Sequence, residues 1–167
     1  VVRVVIRMKI EEIAVLGNST DCMIELFSYL IEKYACTDWV DLTKFNEQER
    51  TIYLCQQFEI EINNGGFDQF FFNNSGRTTK ELLEALEMID AKKQKEILIK
   101  TCGIFPNSQV PTDDETRQSL LEKLTEEEGV EEILANADDE LYDSYEDGKG
   151  ITDLCYQYFI SNIKSFG

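Results

Sequence analysis

The side chains of this sequence that could do chemistry are mainly carboxylates, and most of their excess lies in one segment. Residues 113–147, called the acidic segment from here on, hold 15 Asp and Glu against Arg117 and Lys123, a net charge of −13 out of −17 for the chain. Duplex DNA carries about one charge per 1.7 Å of axis, so 13 charges correspond to roughly 22 Å of duplex. Carboxylates at this density could imitate a row of phosphates and would attract a basic partner.

Apolar residues alternate with these acids at helical spacing, which predicts a folded acidic face and not a disordered tail. An alternative stays open, because charged helix faces often serve only to keep a protein solvated. A calcium site is not expected, since no D-x-D-x-D-G loop with Glu at its twelfth position occurs. The candidate partner-binding carboxylates are Asp113, Asp114, Glu115, Glu122, Glu126, Glu127, Glu128, Glu131, Glu132, Asp138, Asp139, Glu140, Asp143, Glu146 and Asp147.

Most catalytic chemistry is excluded by residue types that the chain lacks. It contains no histidine, which rules out Ser-His-Asp and Cys-His nucleophiles, imidazole acids or bases and histidine metal sites. Phosphate-binding glycine loops and the G-x-S-x-G elbow are also missing. Glu59 and Glu61, which lie beside Phe58 and Ile60, are the only carboxylate pair that could be considered for acid–base catalysis. Glu59 is the stronger candidate of the two, because it lies on an apolar stripe where its pKa could be raised. We therefore expect no enzyme activity, no catalytic residue, no cofactor and no metal.

Charge and cysteine usage also bear on ligands and location. A protein with a net charge of −17 is repelled by nucleic-acid phosphates and anionic membrane surfaces, so neither is expected as a direct ligand. The five cysteines include no C-x-x-C pair and fall among apolar residues, which predicts buried, reduced thiols in a cytoplasmic protein. No apolar run approaches the roughly 20 residues of a membrane span, and no signal peptide is recognisable.

The apolar residues recur at three and four positions, which predicts an all-α fold. Residues 19–167 are expected to form a single helical domain, and residues 1–18 an N-terminal extension with a possible short strand over 2–7. The sequence MKIEEI resembles an ordinary start, so residues 1–7 are expected to lie upstream of a native start at Met8. Helices are predicted over about 21–34, 46–62, 66–72, 78–89, 92–102 and 113–124, then in two stretches after Gly129 and over 151–163.

Local signals define several of these helix ends. Asn46 with Glu49, and Thr78 with Glu81, have the spacing of a capping box, and Asp113 or Thr112 could cap the helix after the proline-containing loop. Glycine tolerates the conformations that end helices, so the Asn-Asn-Gly-Gly run beginning at residue 63 predicts a sharp break.

The segment Glu61–Gly76, EINNGGFDQFFFNNSG, contains four Asn, three Gly and four Phe in sixteen residues. In a structural interpretation the amides satisfy helix ends, the glycines allow the reversal, and the phenylalanines fill the core. In a functional interpretation the amides line a polar pocket. We favour the structural one and expect these residues to specify the fold: Asn63, Asn64, Gly65, Gly66, Phe67, Gln69, Phe70, Asn73 and Gly76.

Residues 46–166 resemble a known family of proteins. The stretches that carry the resemblance are INNGGFDQFFFNNSG, the helix KELLEALEMIDA, the loop IFPNSQVPTDDETRQ, LYDSYED and a closing YQYFISN helix. It is a family of small acidic bacterial DNA-mimic proteins, formerly a domain of unknown function. The best-described member is a dimer that occupies the DNA-binding surface of a helix-turn-helix transcription factor. The resemblance implies an all-helical fold, a homodimer and a protein partner.

The leading hypothesis is a non-enzymatic binding protein, a DNA mimic whose acidic segment occupies the basic surface of a DNA-binding protein. Two alternatives stay open. One is an immunity-type protein that neutralises a basic toxin such as a nuclease, and the other is small-ligand binding at the Asn-Asn-Gly-Gly-Phe segment.

Overall fold

The structure is a computed structural model that describes residues 8–36, 40–145 and 149–167. Eight α-helices and several short 3₁₀ turns, with no β-strand, make up the regular structure of these ranges, so the predicted all-α fold is confirmed. The possible strand over 2–7 lies outside the described residues. The helices are α1 Ile10–Ala14, α2 Ser19–Lys33, α3 Glu47–Phe72, α4 Thr79–Met88, α5 Lys92–Thr101, α6 Asp114–Thr125, α7 Val130–Asp143 and α8 Ile151–Ser161.

Helix α3 is the centre of the fold, and α2, α4, α6, α7 and α8 all pack against it. Its second half supplies three buried rings to a chain of aromatic contacts, in which Phe58 meets Phe67 and Phe70 at centroid distances of 5.8 and 5.0 Å. Phe71 continues the chain, 5.2 Å from Phe70 and 5.0 Å from Phe105. Each such pair adds roughly 0.5–1.5 kcal/mol beyond the burial of its area. Phe67, Phe70 and Phe71 of the Glu61–Gly76 segment are therefore core residues, as predicted, whereas Phe72 is 39% exposed.

The predicted break in α3 is present at Gly65 and Gly66, which have non-helical backbone angles. Gly66 has φ 70° and ψ −165°, a region that residues with a side chain essentially avoid. The helix resumes at once, and Phe67, Phe70 and Phe71 all point into the core as the sequence predicts.

Two of the three predicted caps are confirmed. Asn46 accepts a hydrogen bond from the backbone N–H of Glu49 (2.9 Å), whose carboxylate accepts one from the Asn46 N–H (3.3 Å). Asp113 accepts from the N–H of Thr116 (2.9 Å) at the start of α6. The predicted cap at Thr78 is wrong, because the chain enters α4 from a 3₁₀ turn and the Thr78 hydroxyl donates to the carbonyl of Ser75 (2.9 Å).

The predicted N-terminal extension contains α1, which packs on the domain through the buried side chains of Ile10 and Ile13. Residues 1–7 lie outside the described part, and the proposed start at Met8 stays a prediction. Four of the five cysteines are buried and Cys36 is half-buried, all of them as free thiols. Burial raises the pKa of Cys22 to about 11 and of Cys102 to about 12. None of the helices in the described ranges has both the length and the apolar character to cross a bilayer.

Candidate functional site

The acidic segment folds as a pair of helices, α6 and α7, joined by a turn over 126–129. Gly129 is the N-cap residue of α7 and has φ 89°, a left-handed conformation that glycine adopts without steric cost. Both helices are amphipathic and contact α3 through one face. The buried residues of this inner face are Arg117, Leu121 and Leu124 on α6, and Val130, Leu134, Ala137 and Leu141 on α7. The opposite faces carry the carboxylates.

Most of the predicted partner-binding carboxylates are exposed on these outer faces. Asp113 is occupied as the cap of α6, and the hydrogen bond from the Thr116 hydroxyl lowers its pKa. Glu140 pairs with Lys100 at 2.7 Å, but both side chains are well exposed, so the pair contributes little. Nine others are exposed and form no ion pair with any residue of the described ranges, namely Glu115, Glu122, Glu126, Glu127, Glu128, Glu131, Glu132, Asp139 and Asp143. We call these nine the acidic face.

Two of the predicted residues serve the fold instead of the outer surface. Asp114 lies between two guanidinium groups and accepts hydrogen bonds from Arg77 and Arg117. Asp138 is half-buried, and its Oδ1 accepts from the backbone N–H of Phe67 (2.8 Å). Burial raises the pKa of the Asp138 carboxyl. Glu146 and Asp147 fall outside the described residues.

The glycine pair in α3 explains how Asp138 reaches the backbone of that helix. At Gly66 a Cβ atom would lie 2.7 Å from the Cγ of Asp138, closer than such atoms approach. The absence of a side chain thus leaves a notch into which a carboxylate of α7 fits, and that carboxylate satisfies the N–H of Phe67 that the helix break frees. Tyr142, one turn further along α7, donates to Oδ1 of Asn63 at 3.1 Å.

Arg117 fills a second notch, at Gly76, the last residue of the Glu61–Gly76 segment. Its side chain is fully buried, and it donates through Nε to the carbonyl of Phe71 (2.6 Å) and through Nη2 to the carbonyl of Asn73 (2.8 Å). Nη1 donates to the carbonyl of Pro111 at 3.0 Å. A Cβ at Gly76 would lie 2.7 Å from this Nε. Gly76 therefore has no room for a side chain, and α6 is fixed to the end of α3.

Glu61 links the parts of the Glu61–Gly76 segment through hydrogen bonds. Its carboxylate accepts hydrogen bonds from the side-chain amides of Gln69 (2.7 Å) and Asn73 (2.9 Å) and from the hydroxyl of Ser75 (3.1 Å). These bonds link the helix before the break to the helix and the turn after it. The predicted motif residues thus have structural partners, except that Asn64 is exposed and nothing in the structure explains its identity.

Glu59, the carboxylate singled out for possible chemistry, is 9% exposed and lies beside the start of α8. It accepts hydrogen bonds from the hydroxyls of Thr152 and, at 3.5 Å, Tyr145. Burial raises the pKa of Glu59 above its ordinary value. A cavity of about 500 Å³ adjoins it. Across the described ranges no group of three or more His, Cys, Asp or Glu side chains is placed to hold a metal ion.

Comparison with known proteins identifies a family. A family model described as DMP19-like protein matches residues 43–162. The chain belongs to the DMP19-like protein family. No curated protein and no solved structure matches the chain.

The matched range runs from just before α3 to just past the end of α8. It includes both glycine notches, the Glu61 network and all nine carboxylates of the acidic face. Membership in the DMP19-like family therefore applies to the part of the chain that builds this surface, while it assigns no activity by itself.

Proposed function

We propose that this DMP19-like protein is a non-enzymatic binding protein, a DNA mimic that occupies the DNA-binding surface of a basic protein. A helix-turn-helix transcription factor is the class of partner that the resemblance in sequence implies. The observation that carries the proposal is the acidic face itself, in which nine exposed carboxylates lie on α6, α7 and the turn that joins them, without an ion pair to any described residue. On a surface that only needs to be solvated, acids commonly alternate with Lys and Arg, whereas these helices expose Lys123 as their single cation among the described residues.

The dimensions of the face support imitation of duplex phosphates. At about one charge per 1.7 Å, the nine carboxylates of the acidic face match roughly 15 Å of duplex, which is within the axis length of about 21 Å of the 14-residue helix α7. Within α7, Glu132, Asp139 and Asp143 are separated by seven and four residues, which places them along one side of the helix. Successive carboxylates four residues apart rise by about 6 Å along the axis.

The anchoring of α6 and α7 supports a binding role for the same surface. Arg117, Asp138 and Tyr142 all tie these helices to α3 through hydrogen bonds on the inner face. A rigid scaffold presents its carboxylates without a further loss of backbone entropy when a partner binds. The outer side chains stay free to meet Lys and Arg of a partner.

Competition is the mechanism that follows. The mimic and DNA require the same Lys and Arg side chains of the partner, so each weakens binding of the other. Association is steered by the field of the acidic face, which makes it fast at low salt and strongly sensitive to ionic strength. Assembly as a homodimer, implied by the resemblance in sequence, stays a prediction that light scattering of the purified protein would test.

The proposal is tested with two variants of equal net charge. The first reverses four carboxylates of the acidic face, Glu127, Glu128, Glu131 and Glu132, to Lys. The second reverses four exposed acids that form no ion pair with described residues and lie on other helices, namely Glu11, Glu25, Glu84 and Glu96. Each protein is used to capture partners from a lysate of the native host at low salt, followed by elution with duplex DNA.

We expect the wild-type protein and the second variant to retain a DNA-binding protein that duplex DNA elutes, and the first variant to lose it. Circular dichroism should show unchanged helix content in all three. Equal capture by both variants would contradict the assignment of the acidic face. Capture of a nuclease whose activity the protein blocks would support the immunity-type alternative instead.

A further inference from the structure

A polar cavity of about 280 Å³ lies between α3, the turn that follows it and the start of α6. Helix α3 contributes Tyr53, Gln57 and Glu61, the turn contributes Thr78, and α6 contributes Gln118. None of these side chains belongs to the acidic face, so the function of this cavity is independent of the proposed DNA mimicry.

The two charged groups of the cavity are already engaged. Glu61 accepts three hydrogen bonds from neutral donors of the protein, and the Arg77 guanidinium is paired with Asp114. One negative and one positive group leave the cavity electrically balanced. A phosphate would be repelled by the carboxylate of Glu61, and an amine would be repelled by the guanidinium of Arg77. A metal ion would find a single carboxylate where several are needed. The cavity is therefore suited to a neutral ligand.

Tyr53 lines the cavity with a hydroxyl group that is available to a ligand. The residue is 4% exposed, and its ring packs between Phe27 and Phe45. Its hydroxyl makes no hydrogen bond with any residue of the described ranges. Burial raises the pKa of Tyr53 to about 12, so the hydroxyl keeps its proton at neutral pH. The Tyr53 hydroxyl borders the cavity without a partner among the described residues, so it is available to donate to a ligand or to accept from one.

Gln57 adds a side-chain amide that also forms no hydrogen bond within the described part of the chain. The amide of Gln118 donates to the carbonyl of Phe72 (2.9 Å), which leaves its oxygen as an acceptor. The Thr78 hydroxyl donates to Ser75 and can still accept. Val40 and Leu42 supply apolar wall. Donors and acceptors are therefore interleaved around a small space with one apolar side.

We propose that this cavity binds a small neutral polyol of monosaccharide size. Hydroxyl groups both donate and accept, which matches the mixture of groups that Tyr53, Gln57 and Gln118 present. The carbon face of a sugar ring would contact Val40 and Leu42. The volume lies just below the range of roughly 300–1,000 Å³ typical of drug-sized ligands, which fits a single sugar ring.

The test is a titration of the ¹⁵N-labelled protein with D-glucose and D-ribose, with glycerol phosphate and methylamine as charged probes. We expect saturable shifts of the Gln57 and Gln118 side-chain amide signals with at least one sugar and none with the charged probes. Tyr53→Phe removes only the hydroxyl and should weaken sugar binding roughly 3- to 10-fold. Its melting temperature should equal or exceed that of the wild type, because the hydroxyl has no partner among the residues that the structure describes.

Tyr156→Phe is the matched control, since Tyr156 is half-buried, forms no hydrogen bond among the described residues and lies outside the cavity. It should leave sugar affinity unchanged. The proposal would be overturned if neither sugar gave saturable shifts. It would also be overturned if only a charged probe gave them. A Tyr53→Phe variant that melts lower but binds sugar as the wild type does would show a structural role and would also overturn it.

Discussion

At the scale of single residues, two glycines decide how the acidic helices attach to the core. Gly66 leaves space for Asp138, and Gly76 leaves space for Arg117. In each case a polar side chain from α6 or α7 reaches a backbone group of the segment after the helix break. The glycines are therefore needed for close approach between elements as well as for turning the chain.

Gly66→Ala should cost more than the same change at Gly129, because it combines an unfavourable backbone conformation with displacement of Asp138. A Cβ at Gly66 must occupy a region avoided by other residues and must displace Asp138, so we expect a loss of about 2–4 kcal/mol in the free energy of unfolding. Gly129 also has positive φ, but a Cβ there would meet nothing within 4 Å. Gly129→Ala should therefore cost only about 1–2 kcal/mol. Urea unfolding measures both losses, and equal losses would contradict this prediction.

Glu59 should give stability a distinct pH dependence. Its pKa in the folded state is raised above the ordinary 4.5, so between these two pKa values the folded state binds more protons than the unfolded state. The free energy of unfolding due to this group therefore rises as pH falls from 7 towards 4.5. Glu59→Gln removes the effect and keeps the shape of the side chain.

The measurement is the difference in unfolding free energy between the wild type and Glu59→Gln, taken by urea titration at pH 7 and pH 5. We expect the difference to shift in favour of the wild type at the lower pH. The raised pKa of Asp138 acts in the same direction but cancels, because both proteins contain it. A difference that does not change with pH would contradict the prediction.

At the scale of elements, the features that could be predicted are those encoded by neighbouring residues. The cap at Asn46, the cap at Asp113 and the turn at Gly129 each depend on side chains within about one helical turn. The cap at Thr78 failed because the preceding chain forms a 3₁₀ turn, which tertiary contacts of Glu61 with Ser75 help to hold. Local pattern does not contain that information.

Arg117 shows why the anchoring of α6 could not be predicted. Counted by charge, it is one of two cations in the acidic segment, yet it is fully buried. The spacing of Arg117, Leu121 and Leu124 places it on the inner face of α6, which was the available signal. Its acceptors, the carbonyls of Phe71 and Asn73, come from a segment more than forty residues away. No spacing rule connects such distant positions.

Arg117→Met should loosen α6 more than any change on its outer face. The substitution leaves three backbone carbonyls and Asp114 with fewer donors in a buried site, so we expect a loss of about 3–5 kcal/mol. Amide hydrogen exchange should accelerate most within α6. Lys123→Met, on the exposed side of the same helix, should change stability by less than about 0.5 kcal/mol. Similar exchange rates in the two variants would exclude an anchoring role for Arg117.

At the scale of the whole molecule, the fold and the acidic face use different residues. The core is built from α3 and its phenylalanines, whereas the carboxylates lie on the outer sides of α6 and α7. Apolar periodicity is enough to predict the core, because burial depends on residue class. The partner of the face depends on the spatial arrangement of exposed charges, which sequence specifies only through the fold.

Concentrating like charges on one pair of helices should weaken the folded state at low salt. The Debye length falls from about 30 Å at 0.01 M to about 8 Å at 0.15 M ionic strength, so added NaCl screens this repulsion. We expect the melting temperature of the wild type to rise over this range. The variant with Lys at Glu127, Glu128, Glu131 and Glu132 should show the smallest rise. The variant with Lys at Glu11, Glu25, Glu84 and Glu96 has the same net charge but keeps the acidic face intact, so its rise should stay closer to that of the wild type. Equal salt responses in the two variants would mean that net charge alone, and not the acidic face, sets the electrostatic cost of this fold.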